Sequence, residues 1–355
     1  SKQLGVGRRT VDITIQRVRD LAARQGYSPD HDMTRPVPNG FLVKGVSTYY
    51  NDEGKPTGQW VKSQRDAEQQ VAMLRDAVTA MTEDLPKIKA TKAPRGINSK
   101  LLAAYPMGDP HFGMYSYGEE TGADFDLDIA RADLCAAVDY LVDQAPACER
   151  AVVMNLGDFF HADNIQGITT RSGNVLDMDS RMSKVVRVGV SALRQCIESA
   201  LKKHKTVEVV NAIGNHDDML SLALSIMLAN IYEKERRVII HDQPTPRHYI
   251  QHGKVLLGVT HGHNTKDRDL PGIMATERPS LWGETKHRYF YRGHHHHDSR
   301  DEYNGCIVEQ FRTLAAGEAY AVEHGYLSGR DMKCIIHHQD YGEAARSTCS
   351  IDMLR

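Results

Sequence analysis

Several absences narrow what this chain of 355 residues can be. Its six cysteines, at positions 135, 148, 196, 306, 334 and 349, form no Cys-x-x-Cys pair, which suits reduced thiols in a cytoplasm better than a disulfide framework. No charged start leads into an apolar signal core. The most apolar helical candidate, Met219 to Ile231, is too short to span a bilayer, so a soluble cytoplasmic protein with no membrane partner is expected. A formal net charge of −2 excludes a uniformly basic surface, so any contact with nucleic acid has to be local. No internal repeat is visible, and no heptad pattern that would dock a coiled-coil partner.

What is present is a run of histidines inside the chain. Gly293-His294-His295-His296-His297 follows the apolar stretch Tyr289-Phe290-Tyr291, as a strand end would. An expression tag sits at a terminus, so this internal run reads as a metal clamp. In an extended chain alternate side chains share a face, which pairs His294 with His296 and His295 with His297; one pair can chelate. The other ligands should then follow other strands. Asp109-Pro110-His111 follows Leu101 to Tyr105, and Gly157-Asp158 follows Ala151 to Met154. Gly214-Asn215-His216-Asp217 follows Val209 to Ile213, and His261-Gly262-His263 follows Val255 to Val259. Clusters of Asp, Asn and His at the ends of apolar runs are what loops converging on one cleft deliver.

Along the chain, residues Arg9 to Gln25 carry a helical stripe of Val11, Ile15, Val18 and Ala22. The start at Leu4 to Val11 is similar to a helix-turn-helix, with Arg8, Arg9, Arg17, Arg19 and Arg24 available to phosphates; a solvated basic helix is the alternative. Phe41 to Tyr50 and Gln59 to Val61 predict a hairpin, and Ser63 with Asp66 caps a helix marked by Val71, Leu74, Val78 and Met81. Residues 1–86 thus form an accessory region, 87–100 a basic linker, and 101–355 the core with a β-rich C-terminal extension. Lys87, Lys89 and Lys92 of the linker are candidates for following a polyanion. From Leu101 strands alternate with helical patterns at Asp128 to Leu141 and Val185 to Ala200; after His241 strands dominate, including a hairpin turned at His252-Gly253.

In order, Asp109-x-His111, Gly157-Asp158, Gly214-Asn215-His216-Asp217, His261 and Gly293-His294-x-His296 resemble the signature of the calcineurin-like metallophosphoesterases over roughly residues 101 to 300. The resemblance implies an α/β fold, a four-layer α-β-β-α sandwich with metals at its rim, here carrying a small N-terminal helix and β-hairpin unit. It also implies two divalent ions, one on Asp109, His111 and His296, the other on Asn215, His261 and His294, with Asp158 bridging. A register shift would hand the ligation to His295 and His297. His216 becomes the proton donor to the leaving group and Asp217 its orienting partner, while in-line attack comes from a hydroxide between the metals. Oxygen and imidazole ligands without thiolate favour manganese, with iron, zinc or cobalt as alternatives.

Gly157-Asp158-Phe159-Phe160-His161 and Asp109-Pro110-His111-Phe112-Gly113 are most similar in form to the SbcD-type DNA-repair nucleases, which assigns phosphate positioning to His161. The overall layout also resembles stand-alone phosphoesterases of bacterial viruses, with the host cytoplasm then the location. Neither the capping segment nor the coiled coil that engages an ATPase is identifiable, so no ATPase partner is indicated; a homo-oligomer stays open. The expectation is a phosphodiesterase acting on DNA as a nuclease, with exonuclease activity included. A phosphomonoesterase or small-molecule phosphodiesterase is the alternative, and a nucleic-acid-binding protein with a structural metal the third reading. Asn264 to His287 reads as a long polar loop forming a lid or strand-separating element, where Arg268 meets substrate and Trp282 either stacks on a base or anchors the loop.

Overall fold

The computed structural model describes residues 9–15, 41–53, 56–65, 91–169, 173–325 and 327–355. The chain divides into two compact units, Ser1–Ala80 and Met81–Arg355. In the first, residues 9–15 are helical, and strands β1 (Phe41–Tyr50) and β2 (Pro56–Arg65) pair as an antiparallel hairpin. The rest of the Arg9 to Gln25 helix, the capped helix from Ser63 to Met81, and Lys87 and Lys89 lie outside the described residues.

The second unit holds two sheets. One has six strands in the order β13-β12-β3-β4-β5-β6: Gly342–Ser350, Asp331–His338, Asn98–Met107, Cys148–Asn155, Thr206–Asn211 and Val238–His241. β3 to β6 run parallel, and β12 and β13 add an antiparallel edge. The other has five strands in the order β10-β11-β9-β8-β7: Ser299–Tyr303, Cys306–Gln310, His287–Arg292, Val255–Val259 and His248–His252.

The period-2 alternation of side chains explains the layering. On β3, Leu102 and Ala104 face the second sheet, whereas Ala103, Tyr105 and Met107 face helices. On β8, Val255, Leu257 and Val259 meet that inter-sheet core while Leu256 points outward; on β9, Tyr289 and Tyr291 point in and Phe290 out. Both faces of each sheet are covered, which is why β3, β4 and β8 read as unbroken apolar runs. Helices α1 (Leu127–Gln144), α2 (Met182–Lys203) and α3 (Asp218–Tyr232) cover the six-stranded sheet through Leu134, Val138, Leu193 and Leu228. The result is the four-layer α-β-β-α arrangement.

The outer layer on the other side corrects one expectation. Residues 264 to 287 are not a long loop: they contain a 3-10 turn at Asp267–Asp269 and helices α4 (Leu270–Glu277) and α5 (Pro279–Glu284). Pro271 and Pro279 occupy first-turn positions, where a missing N–H costs nothing, and Leu270 and Met274 pack on Leu256 and Phe290. Trp282 is half-buried against the same cluster with the Arg288 guanidinium 4.0 Å over its ring, and so anchors this layer. No helix among the described residues is long and apolar enough to cross a membrane.

Candidate metal centre

The loops that follow β3, β4, β5, β8 and β9 leave the same end of the two sheets, and each carries part of one polar cluster. Their backbones are bent to do so. Seven non-glycine residues among those described have positive φ, and five of them are Asp109 (42°), His111 (48°), Asp158 (49°), His294 (80°) and His296 (59°). Left-handed conformations are unfavourable for side chains with a Cβ, so their concentration here marks a site the rest of the fold holds in place. The histidine run is therefore not extended, as the alternation argument assumed. Alternate left-handed residues, His294 and His296, instead turn their own rings inward and leave His295 and His297 exposed.

Besides a cluster of His111, His161 and His216, two groups of candidate ligands result among the described residues. Asp109, His111 and His296 bring ligand atoms within 4.8 Å of one another, and so do Asp158, His261 and His294. In the first, His111 Nε2 and His296 Nε2 stand 3.2 Å apart, with Asp109 Oδ1 3.5 Å from His296. In the second, His261 Nε2 is 3.1 Å from Asp158 Oδ2 and 2.9 Å from Asn215 Oδ1. Small residues permit this convergence: a Cβ at Gly214 would overlap Asp158, and one at Gly293 would overlap Asp109.

The donor chemistry fits cations. His261 Nδ1 lies 2.9 Å from the Leu156 carbonyl, which can only accept, so this nitrogen carries the proton. A neutral ring then presents its Nε2 lone pair to two oxygens, an arrangement of acceptors that needs a positive charge among them. Without one, the ring takes a second proton: burial opposes it, but hydrogen-bonded Asp158 and nearby Asp109 push His261 up to about 9. Burial likewise works to raise the Asp158 carboxyl, yet His261, His216 and His111 hold it well below the usual range. Asp109 and Asp158 are fully buried, and the ion-pair partners found for them among the described residues are imidazoles. Buried carboxylates in this state pair or coordinate metals. Burial and the neighbouring rings of His296, His161 and His216 push His111 well below its ordinary value, and burial pushes His294 to about 3, which keeps both as lone-pair donors.

Around the ligands, His216 Nδ1 lies 2.8 Å from the His161 carbonyl, and its backbone N–H donates to Asp158 Oδ1 at 2.8 Å. Asp217 does not orient His216. Its carboxylate turns to the opposite side, accepts from the Phe160 N–H at 3.0 Å and is buried at the start of α3; burial, then the nearby Asp158, pushes it up to about 8. His161 is buried, not an exposed turn residue. Thr313, which sequence reasoning passed over, donates its hydroxyl to the Asp109 carbonyl at 2.7 Å and steadies that loop. Its segment carries none of the Asp-His signature, so only the fold could reveal it.

Two cavities meet at the centre and share His263, Asn264 and His294. One, a groove of about 840 Å³, is lined by Lys266, Arg268 and Arg292 with Asp267, which Arg292 engages. The other, about 560 Å³, is lined by Asp177 and Glu318 with His216 and, among the described residues, by no Lys or Arg. Arg268 lines the larger groove, beside Asp269. Lys92 does not: its carbonyl accepts from Arg237, whose guanidinium also binds the Leu201 and His204 carbonyls at the starting ends of β5 and β6, across the sheet from the ligand loops.

No protein-family model and no curated protein matches the chain. Solved structures that resemble it include a conserved, predicted phosphoesterase from Streptococcus pneumoniae, 11% identical over 71% of this chain and 99% of that one, TM-score 0.29. Vps29 complexed with zinc from Entamoeba histolytica is 12% identical over 70% of this chain and 99% of that chain, TM-score 0.29. A dimetal phosphatase from Danio rerio is 9% identical over 70% and 99%, TM-score 0.38.

Proposed function

We propose that the chain is a metal-dependent phosphoesterase that hydrolyses phosphodiesters, with DNA as its substrate. The carrying observation is the convergence of Asp109, His111, Asp158, Asn215, His261, His294 and His296 from five loops into two ligand groups. Divalent ions held there would lower the pKa of a water and neutralise charge on the phosphoryl oxygens.

The chain's own groups supply the rest. With Nδ1–H donating to the His161 carbonyl, His216 acts as an acid in its imidazolium form, giving its Nε2 proton to the leaving oxygen and keeping the one on Nδ1. The Leu156 carbonyl, accepting from Nδ1–H, holds His261 with Nε2 turned towards Asn215 and Asp158. Lys266 and Arg268 give the larger groove the charge to take a polyanionic chain, while Asp177 and Glu318 make the smaller pocket suit an uncharged ester substituent. A diester has two arms and this centre opens on two cavities, which favours a diester over a monoester.

The test offers manganese-loaded protein bis(p-nitrophenyl) phosphate, p-nitrophenyl phosphate and linear DNA. The diester is expected to turn over faster than the monoester. A Lys266→Ala/Arg268→Ala variant should lose more DNA cleavage than small-diester hydrolysis, with a shallower salt dependence. Cleavage of the monoester alone would reject this reading.

A further inference from the structure

His111 faces the candidate centre through Nε2, 3.2 Å from His296 Nε2, and its other ring nitrogen, Nδ1, lies 3.1 Å from His161 Nδ1. Only one proton fits between those two nitrogens. If Nε2 of His111 is committed to a cation as a lone pair, the ring's proton resides on Nδ1 and is donated to His161. The neutral His161 ring must then carry its own proton on Nε2. That atom is buried and has no hydrogen-bond partner, in a residue 1% exposed. A buried donor in this state is destabilising, so a partner is expected nearby. The Glu318 carboxylate faces that nitrogen from the wall of the smaller pocket, its Oε2 4.0 Å away and its side chain 29% exposed, with room to close the gap.

We infer that Glu318 and His161 form a relay behind the metal ligand His111, in which Glu318 accepts from His161 Nε2–H and His161 accepts from His111 Nδ1–H. Glu318 and His161 are positioning residues: they hold the His111 ring in the plane and tautomer that a cation needs. This departs from the reading of His161 as a phosphate contact. It rests on the metal centre proposed above, with Glu318 as an addition that no sequence pattern indicated. Ligand imidazoles commonly donate their second N–H to a carboxylate or carbonyl; here a second imidazole stands between the ligand and the acid.

The test measures binding of Mn²⁺ by calorimetry, with metal content after dialysis, for the intact chain and its Glu318→Ala, Glu318→Gln, His161→Phe and His161→Phe/Glu318→Ala variants. Glu318→Ala should weaken one of two sites by about tenfold or more. Glu318→Gln, whose amide oxygen still accepts, should restore most of it. The double variant should bind no worse than His161→Phe alone, because both changes cut the same chain. Nitrogen-15 NMR of the histidines in the loaded protein should place the His161 proton on Nε2. Unchanged binding by Glu318→Ala, or losses that add in the double variant, overturns the relay while the metal centre stands. If the intact chain binds no divalent ion, the centre itself fails and the relay with it. The Ala and Gln pair at this partly exposed position decides the matter even if His161→Phe does not fold.

Discussion

His216 is the residue on which the proposed chemistry turns most directly, because its position is set by backbone and not by another acid. Its Nδ1 is taken by the His161 carbonyl at 2.8 Å. Replacing it with alanine should leave metal binding intact and lower kcat by about 10²–10⁴ for diesters with poor leaving groups. The loss should be smaller for a p-nitrophenyl ester, whose leaving group needs little protonation, and equal losses for both would remove the assigned acid. The candidate ligands that the fold brings together were legible in the sequence because Asp, Asn and His at strand ends have few structural reasons to recur in that order. Their conformations were not. The extended run that alternation assumes and the left-handed turns that form both bring His294 and His296 to the candidate centre, by different backbone routes. The misassigned partner of His216 has a similar origin: adjacency of Asp217 in sequence says nothing about side, and its carboxylate faces the Phe160 N–H.

At the scale of elements, the apolar runs of β3, β4, β5, β8 and β9 announced themselves because both faces are covered. Helices α4 and α5 were hidden by the polar residues around them, and Trp282 looked exposed because sequence cannot show the Arg288 that covers it. The same packing creates a pH dependence. His204, at the end of α2, has Tyr105 Oη 2.7 Å from Nε2 and accepts from the Cys148 N–H at Nδ1. Burial, then the nearby Lys203, lowers it to about 4, and burial lowers His337, between the sheets, to about 3. Each folded value lies below the roughly 6.5 of an unfolded histidine, so the unfolded chain binds more protons between them. Stability is therefore fully present above about pH 6.5 and falls as pH drops towards 4, by on the order of 3 kcal/mol for His204. Urea midpoints measured from pH 7.5 to 4.5 should show this fall, less steeply in a His204→Gln variant. A flat profile would mean that the ring is not held neutral by its two partners.

For the molecule as a whole, the described residues of the three apolar clusters all belong to the second unit, Met81–Arg355. A chain lacking residues 1–80 should therefore fold and hydrolyse the small diester at a rate within about threefold of the full chain, since no candidate ligand is lost. Collapse of that activity would give the first unit a part in the catalytic core. The layer order was readable from the alternation of strands and helices together with the motif order, whereas the charge contrast between the two cavities was not. That contrast depends on Asp177, Lys266 and Glu318, residues far apart in sequence that only the fold brings to one rim. The central claim is that one rim holds two divalent ions, and counting them tests it most directly. Equilibrium dialysis against Mn²⁺, with metal analysis of the chain and of its Asp158→Ala variant, should give two ions per chain and a clear loss when the shared carboxylate is removed. Fewer than one ion per intact chain, or an unchanged count in the variant, would contradict it.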